Sequence, residues 1–382
     1  MSASLPRGLS DTDLAAIETV RRLVEKTLAP QAASVDENAS FPAAQLRGLA
    51  EIGVLGMNLP EQWGGPGLSA LALSVCVEAI AAGCASTASA LTAHFLATDA
   101  VLIGGDDGMR ALILPKAATG EMLGAFALTE PRAGSNPADM RCTARKTTSG
   151  YHLSGVKHFI SNGAVADFIV VFATTDPAAG HKGIGAFLVE KGTPGFTAGQ
   201  PEKTMGLRGG HVFELSFDCE IPAGNRIGPE GSGFRTAMKV LDNGRVEVAS
   251  MCLGIAKVAL DAALGWVKQR VIGGQPLAGY QGIQWMLADM ATQLRAARLL
   301  TEDAATKRAQ GMRFSQEASM AKLFASEAAG RIADAALQIH GGYGFVQDLP
   351  LERHVRDLRI MRIYEGSSEV QKTIIARHLI NQ

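Results

Sequence analysis

Net charge is almost absent from this chain: 36 Lys plus Arg stand against 37 Asp plus Glu in 382 residues, a formal charge of −1. Without a broad positive field, nucleic acid and anionic membrane surfaces are disfavoured as partners. Cysteine is scarce, with five residues at 76, 84, 142, 219 and 252, an odd number lacking any CxxC pair. That usage suits a reducing compartment better than a secreted disulfide framework, and it gives thiolate metal binding no support. The opening MSASLPRGLSDTDLAAIETV has no apolar signal core, and its acidic Asp11, Asp13 and Glu18 argue against a transit peptide, so a cytoplasmic protein is expected. The chain contains no Gly-Lys dipeptide, which removes the P-loop lysine and disfavours ATP-driven chemistry. GIGAFL (183–188), GSGFRT (231–236) and GYGFVQ (342–347) begin like dinucleotide-binding loops, but each lacks the third glycine and the strand-turn-helix setting. A nicotinamide cofactor therefore gains no support. GxSxG and HExxH are missing too, which leaves an organic cofactor as the natural carrier of any redox or transfer chemistry.

What the sequence has is length, small residues and glycine. Its 382 residues favour two or three domains with a sizeable core. Apolar residues make up 47% and aromatics only 5%, while the 43 glycines exceed the roughly 27 of average usage. Helical periodicity runs through the first part, where Leu14, Ile17, Val24 and Leu28 fall near one face, Ser10 reads as a cap and Pro30 as a stop. Residues 67–103 read as helical and small. Glu78, His94 and Asp99 interrupt the stretch, so a buried helix pair is favoured over a membrane span. From Met122 the pattern changes to short β-like runs, among them GAFALTE, YHLSG, ADFIVVFATTD, GIGAFLVE and HVFELSFDCE. Residues 234–270 then carry no proline and predict a helix about 50 Å long. Further helices are expected over 281–310, 314–340 and 368–380. The boundaries follow as 1–121 helical, 122–232 β and 233–382 helical, an α+β order that argues against alternating βαβ units. No repeat or low-complexity linker is visible, so the parts should pack as one body.

Several glycine-rich loops carry polar side chains: TEPRAGSNP (129–137), ISNG (160–163), MGLRGG (205–210) and HGGYGF (340–345). Each is readable as an ordinary turn or as backbone that lets a ligand approach and offers N–H groups to phosphate. In IYEGSSEVQ (363–371), Ser368 and Gln371 have capping-box spacing, and Gly366 lets the chain turn immediately after Glu365. A carboxylate held there against Ile363 and Tyr364 has the setting for a raised pKa and general-base chemistry. A solvated loop glutamate is the alternative.

Taken together these segments resemble the acyl-CoA dehydrogenase family over essentially the whole chain. TEPRAGS looks like that family's TEPGAGS loop, FISNG its WITNG loop, and YEGSSE its YEGTSE segment. RVIGGQPL (270–277) is similar to RxxFGxPL, and QIHGGYG (338–344) to the family's glutamine and glycine-rich turn. LDNGR (241–245), SMAKLFA (319–325) and HGGYGF lean toward the isobutyryl-CoA, short branched-chain branch, and so toward fatty acid or branched-chain amino acid catabolism. The resemblance implies an N-terminal helical domain, a middle β-barrel and a C-terminal four-helix bundle, with FAD in the crevice among them and a neighbouring subunit of a homotetramer. It implies α,β-dehydrogenation of an acyl-CoA, with Glu365 as the α-proton base, flavin N5 as hydride acceptor and an electron-transfer flavoprotein as electron acceptor. The Glu365 N–H and a flavin ribityl hydroxyl would stabilise the enolate-like charge at the thioester carbonyl, without which the α-proton is too weakly acidic for a carboxylate.

Other roles carry over by position. Phe126 and Leu128 match cofactor-binding positions, Thr129 the threonine near the flavin ring, Ser135 a residue touching cofactor and CoA, and Phe159 and Ser161 the loop beside the isoalloxazine. Arg270, Gln281, Gln338, Gly341 and Gly342 match residues that hold the adenosine diphosphate part, for which a guanidinium fork is well suited. Ser367 and Glu369 match cofactor contacts after the base; Asp242, Arg245, Gly366 and Arg377 match acyl-CoA positions, and Arg245 equally reads as a helix salt bridge. No metal site is implied. Four residues depart from the pattern: Phe159 replaces a tryptophan, Gly273 a phenylalanine that contacts adenine, and Arg132 a glycine. Gly244 occupies the helix position where isovaleryl-type members place their base. An acyl-CoA oxidase using oxygen and a non-catalytic binding protein of the same fold are the competing readings.

Overall fold

Ser10 opens the first helix through a reciprocal cap. Its Oγ accepts from Asp13 N at 3.1 Å, and Asp13 Oδ2 accepts from Ser10 N at 3.1 Å. The computed structural model describes residues 5–381; the outermost ends of the two helical segments lie outside them. Ile17, Val20, Val24 and Leu28 make the buried face, whereas Leu14, expected on it, is exposed. Pro30 does not stop the helix. A single π-helical turn, Val24–Leu28, carries Asp11–Leu23 into Ala29–Glu37, and Pro30 sits in the first turn of that next helix, where no N–H donor is needed.

The small-residue stretch folds as two helices, Ala70–Gly83 and Ala85–Gly104, separated by an extended Cys84. Ala85–Gly104 and the later helix Gly233–Gln269 are long and apolar enough to cross a membrane, yet most of each apolar window is buried within the protein. Buried on nearly every side, a helix shows no polar face, as expected for the centre of a packed layer.

A mixed eight-stranded sheet follows. Its central strand, Phe168–Thr174, pairs antiparallel with Ile184–Glu190 and parallel with Gly124–Ala127. Alternate side chains of that strand serve two cores, the period-two rule of a strand buried on both faces. Phe168, Val170 and Phe172 pack with the helices Ala85–Gly104 and Asp107–Ala118. Ile169, Val171 and Ala173 pack with Phe213, Leu215 and Phe217 from the sheet itself. Strand Gly150–Ser161 pairs with Val212–Pro222, with a register shift between Lys157 and Ile160.

Helices Gly233–Gln269, Gln281–Ala309, Ser315–His340 and Ser368–Ile380 form the C-terminal bundle. A helix absent from the sequence reading, Leu351–Ile360, packs beside it; its buried face is Leu351, His354, Asp357 and Leu358. Two titratable residues in that face hide the apolar period. Asp357 is buried because its Oδ1 accepts from Leu207 N at 2.6 Å. The last helix is capped one residue earlier than its spacing predicts. Ser367 Oγ accepts from Val370 N at 3.4 Å, Ser368 Oγ turns to Glu327 Oε1 at 2.7 Å, and Gln371 Nε2 donates back to Gly366 O at 2.9 Å.

Two glycines of MGLRGG serve packing. A Cβ at Gly206 would lie 2.4 Å from the Arg356 backbone, and one at Gly209 would lie 2.4 Å from Val35 Cγ1. The long helix is held the same way, since a Cβ at Gly254 would fall 2.1 Å from Glu78 O on helix Ala70–Gly83. Gly254→Ala should therefore lower stability by about 1–3 kcal/mol, through forced separation of the two helices. An unchanged unfolding midpoint in denaturant would refute this contact.

Candidate active site

Glu365 lies in the short connection between helices Leu351–Ile360 and Ser368–Ile380, with φ +52°, followed by Gly366 at +91°. Two successive left-handed residues turn the carboxylate back onto the long helix. Gly244 receives it: a Cβ there would fall 2.2 Å from Glu365 Oε2 and 2.7 Å from Leu96 Cδ2. A side chain at 244 and a carboxylate at 365 thus compete for one space. Glu365 Oε2 is buried and has no hydrogen-bond partner. Burial raises the Glu365 pKa to about 7, against the opposing pull of Lys322 and Arg245.

Those two cations are themselves fixed. Arg245 is buried, its Nη1 donates to Asp242 Oδ1 at 2.6 Å, and Asp242 also accepts from Ser315 Oγ at 2.9 Å. Arg245 is thus a helix salt bridge and a neighbour of Glu365 at once. Lys322 Nζ donates to Gly366 O at 2.7 Å, and burial lowers its pKa to about 8. Arg377 is exposed in the last helical turn, and its neighbour His378 contributes to the field at Asp242.

A second group gathers where strands Gly124–Ala127 and Gly150–Ser161 end. Phe126 packs on Phe172 with ring centroids 4.9 Å apart, and Leu128 O accepts from the buried Lys157 Nζ at 3.0 Å. Lys157 also pairs with Glu130 Oε1 at 2.8 Å, while Glu130 accepts from Arg141 N and Cys142 N, anchoring the TEPRAGS loop. Thr129 O accepts from His158 N at 2.9 Å, joining that loop to the strand carrying Phe159 and Ser161. Phe159 has φ +58°, is 58% exposed and stacks on His158 at 4.0 Å. Strained backbone supporting an exposed aromatic ring is the local signature of a binding face. Asn162, at φ +63°, braces the turn by donating from Nδ2 to Ala90 O at 2.8 Å. Ser135 and Arg132 are exposed on the loop, and Arg132 takes no positive φ, so the missing glycine costs nothing there.

A third group lies at the far end of the bundle. Arg270, Gln338, Gly341 and Gly342 line one crevice of about 620 Å³ with Trp266 and Tyr343. The Arg270 guanidinium carbon lies 5.7 Å from the Tyr343 ring centroid. Gln281 starts the neighbouring helix outside that lining. Gly273, at φ +59°, leaves room for Tyr280, whose hydroxyl would lie 2.8 Å from an added Cβ and donates to Ile272 O at 2.6 Å. Ser367 and Glu369 adjoin Glu365 at the start of the last helix. Sequence reasoning missed Lys322, although SMAKLFA contains it, and Asn162, for which the Asn-Gly pair was the available signal. It also missed a cluster in which Asn58, Asn243 and Arg308 surround the buried Asp99 and Glu247, beside Gly244.

Fold and candidate site together define a three-part protein, helical, β and helical, with a buried carboxylate facing its longest helix, and comparison with known proteins gives its class. Sequence models of the acyl-CoA dehydrogenase N-terminal, middle and C-terminal domains match residues 10–121, 125–219 and 231–380. The chain belongs to the acyl-CoA dehydrogenase family. It is 44% identical over 365 residues to the acryloyl-CoA reductase (NADH) of Anaerotignum propionicum, covering 95% of this chain and 93% of that protein. Butyryl-CoA dehydrogenase from Megasphaera elsdenii superposes with a TM-score of 0.96 at 39% identity, covering 98% of this chain and 100% of that one. A chain solved in work on the electron transferring flavoprotein of Acidaminococcus fermentans and flavin-based electron bifurcation also gives 0.96, at 38% identity, covering 99% and 100%.

The buried carboxylate has a consequence for stability. Its folded-state pKa, about 7, lies above the ordinary 4.5, so ionisation costs nothing at low pH, costs more as pH rises from 4.5 to 7, and costs fully above 7. Glu365→Gln should therefore gain stability over the parent between pH 5 and pH 8, by about 3 kcal/mol at most. Chemical denaturation at both pH values checks this, and a gap that narrows toward pH 8 overturns the assigned environment.

Proposed function

We propose that the protein catalyses FAD-dependent α,β-dehydrogenation of a short acyl-CoA, straight or branched, with Glu365 as the base that removes the α-proton. The observation that carries the proposal is the unpartnered Glu365 Oε2, buried against Gly244 with its pKa raised to about 7. A base poised near neutrality combines a useful ionised fraction with real proton affinity. Short substrates are supported by the butyryl and acryloyl thioesters in the names of the two relatives.

The residues present fit FAD. Phe159 offers an exposed ring at a strained turn, and Thr129 and Ser161 offer hydroxyls beside it. Arg270, Gln338 and the open Gly341–Gly342 backbone suit a pyrophosphate, with Trp266 and Tyr343 as aromatic walls. Phe126, Leu128, Ser135, Gln281, Ser367 and Glu369 complete the proposed cofactor set. Bound there, FAD would supply the two-electron acceptor chemistry for the hydride that leaves the β-carbon. The chain's own part is to hold the thioester through Ser135, Asp242, Arg245, Gly366 and Arg377, and to donate the Glu365 N–H to its carbonyl. Lys322 fixes the Gly366 carbonyl, and Lys322 and Arg245 keep the base ionisable. In the reverse direction the protonated Glu365 returns the α-proton, the direction in which the A. propionicum relative is named.

Exposed Phe345, Ile272 and Val346 adjoin the Arg270 crevice and support coverage by a neighbouring subunit of a homotetramer. The match to the chain from the A. fermentans work supports an electron-transfer flavoprotein as electron acceptor. Five buried free thiols support a reducing compartment, such as the cytoplasm.

Anaerobic flavin bleaching by butyryl-CoA and isobutyryl-CoA tests the reading. Glu365→Gln should keep its flavin and lose bleaching by at least about a thousandfold. Near-normal bleaching would remove Glu365 as the base; peroxide at the full turnover rate in air would mark an oxidase, and protein that takes up no FAD a binding function. For the parent, kcat/KM should fall as pH drops below about 7, where the base becomes protonated.

A further inference from the structure

Lys157 is 0% exposed and opens the register shift that contains Phe159. A lysine cut off from water must place its N–H donors on protein acceptors. Nζ donates to Leu128 O at 3.0 Å and to Glu130 Oε1 at 2.8 Å. Burial lowers the Lys157 pKa, and Cys142 and Glu130 oppose that pull. Glu130 serves other donors as well: Oε1 also accepts from Cys142 N at 3.0 Å, and Oε2 from Arg141 N at 2.6 Å. Two backbone N–H groups thus share the carboxylate with the ammonium, and the ammonium's remaining contact is the Leu128 carbonyl.

That contact orients a peptide. The described chain has no cis peptide bond, so the Thr129 N–H points away from the Leu128 oxygen, to the side opposite the buried ammonium. Among the described residues no acceptor meets this N–H, whereas the groups beside it are engaged. Thr129 O accepts from His158 N at 2.9 Å, and Glu130 N donates to Ala133 O at 3.3 Å. Thr129 is half-buried and is bonded to the strand that carries Phe159 and Ser161. A backbone donor left open in an otherwise bonded turn is a place for a ligand's acceptor. A cation on the carbonyl end of the peptide polarises it and strengthens the N–H at the other end.

A hydride carries two electrons and one proton, so its transfer from the β-carbon adds one negative charge to the accepting ring. In an isoalloxazine the pyrimidine carbonyl oxygens share that charge. A fixed N–H aimed at such an oxygen stabilises the reduced ring more than the oxidised one.

We propose that Lys157 is a positioning residue for the flavin: by holding and polarising the Leu128–Thr129 peptide it presents the Thr129 N–H to a pyrimidine carbonyl oxygen of FAD and raises the cofactor's reduction potential. The proposal rests on the reading of this face as the flavin site, and it adds the group that sets how strongly the bound flavin takes electrons. It makes no use of Glu365.

Potentiometric titration of the FAD-loaded protein, with no acyl-CoA present, reads the effect. Lys157→Met removes the ammonium and keeps a long side chain in the buried site. It should weaken binding of reduced FAD at least about tenfold more than binding of oxidised FAD, the scale of a hydrogen bond to a charged group. For a two-electron couple that is a fall of about 30 mV. Gly254→Ala lowers stability elsewhere and should keep the parent potential; if Lys157 matters only for stability, Lys157→Met behaves the same way and the proposal falls. A second measurement needs no variant to fold. The parent is loaded with 2-thio-FAD or 4-thio-FAD, in which sulfur, a weak acceptor, replaces one pyrimidine oxygen. One of the two should show a smaller gap between bound and free potential than FAD shows, and equal gaps for all three overturn the proposal. Protein that takes up FAD, is bleached by butyryl-CoA and shows neither shift removes the role of Lys157 alone. Protein that takes up no FAD removes the flavin reading and this inference together.

Discussion

Three glycines on one helix set the distances that everything else obeys. Along Gly233–Gln269, an added Cβ would strike the sheet at Gly185 C (2.5 Å) from position 233, the Glu365 carboxylate (2.2 Å) from 244, and the Glu78 carbonyl (2.1 Å) from 254. Sheet, candidate base and N-terminal helices therefore register on a single rod about 55 Å long. Close-packed interiors absorb little extra volume, so the three approaches are coupled through that helix. The desolvation that raises the Glu365 pKa is a product of the same contact at Gly244.

The long helix is also where buried charge is concentrated. Asp242, Arg245 and Glu247 lie within two turns, each tied to a different partner: Ser315, Asp242 and Arg308. Elsewhere Arg298 grips Glu78 with two hydrogen bonds, and Arg356 joins Asp36 to Glu352 across the N- and C-terminal segments. Buried ion pairs contribute little net stability once desolvation is counted, and breaking one is costly. Their value is in orientation. Around Glu365 the Asp242 pair fixes Arg245 and the Gly366 carbonyl fixes Lys322, two cations that keep the carboxylate ionisable near neutrality.

Backbone strain follows the same geography. Among the described residues the non-glycine positions with positive φ are Ala39, Phe159, Asn162, Leu207 and Glu365. Phe159, Asn162 and Glu365 belong to the candidate site, where each unfavourable backbone is held by packing or side-chain hydrogen bonds. Strain of this kind persists only where the surroundings over-determine it.

The sequence by itself determined what depends on neighbours along the chain: the helical, β and helical order, the Ser10 cap, the glycine-rich loops and the turn that presents Glu365. Its motifs also carried the family, because five short segments in order identify a fold more strongly than any one of them. Only the tertiary structure decided that Pro30 sits inside a continued helix, that Ser367 rather than Ser368 caps the last one, and that His354 and Asp357 hide a helix by being buried. The same holds for two glycines of MGLRGG, whose work is packing. It holds most for Asn58, Asp99, Asn243, Glu247 and Arg308, which come from four separate segments and share no local pattern. Periodicity and capping act over a few residues, whereas desolvation and charge pairing depend on which distant segments exclude water together.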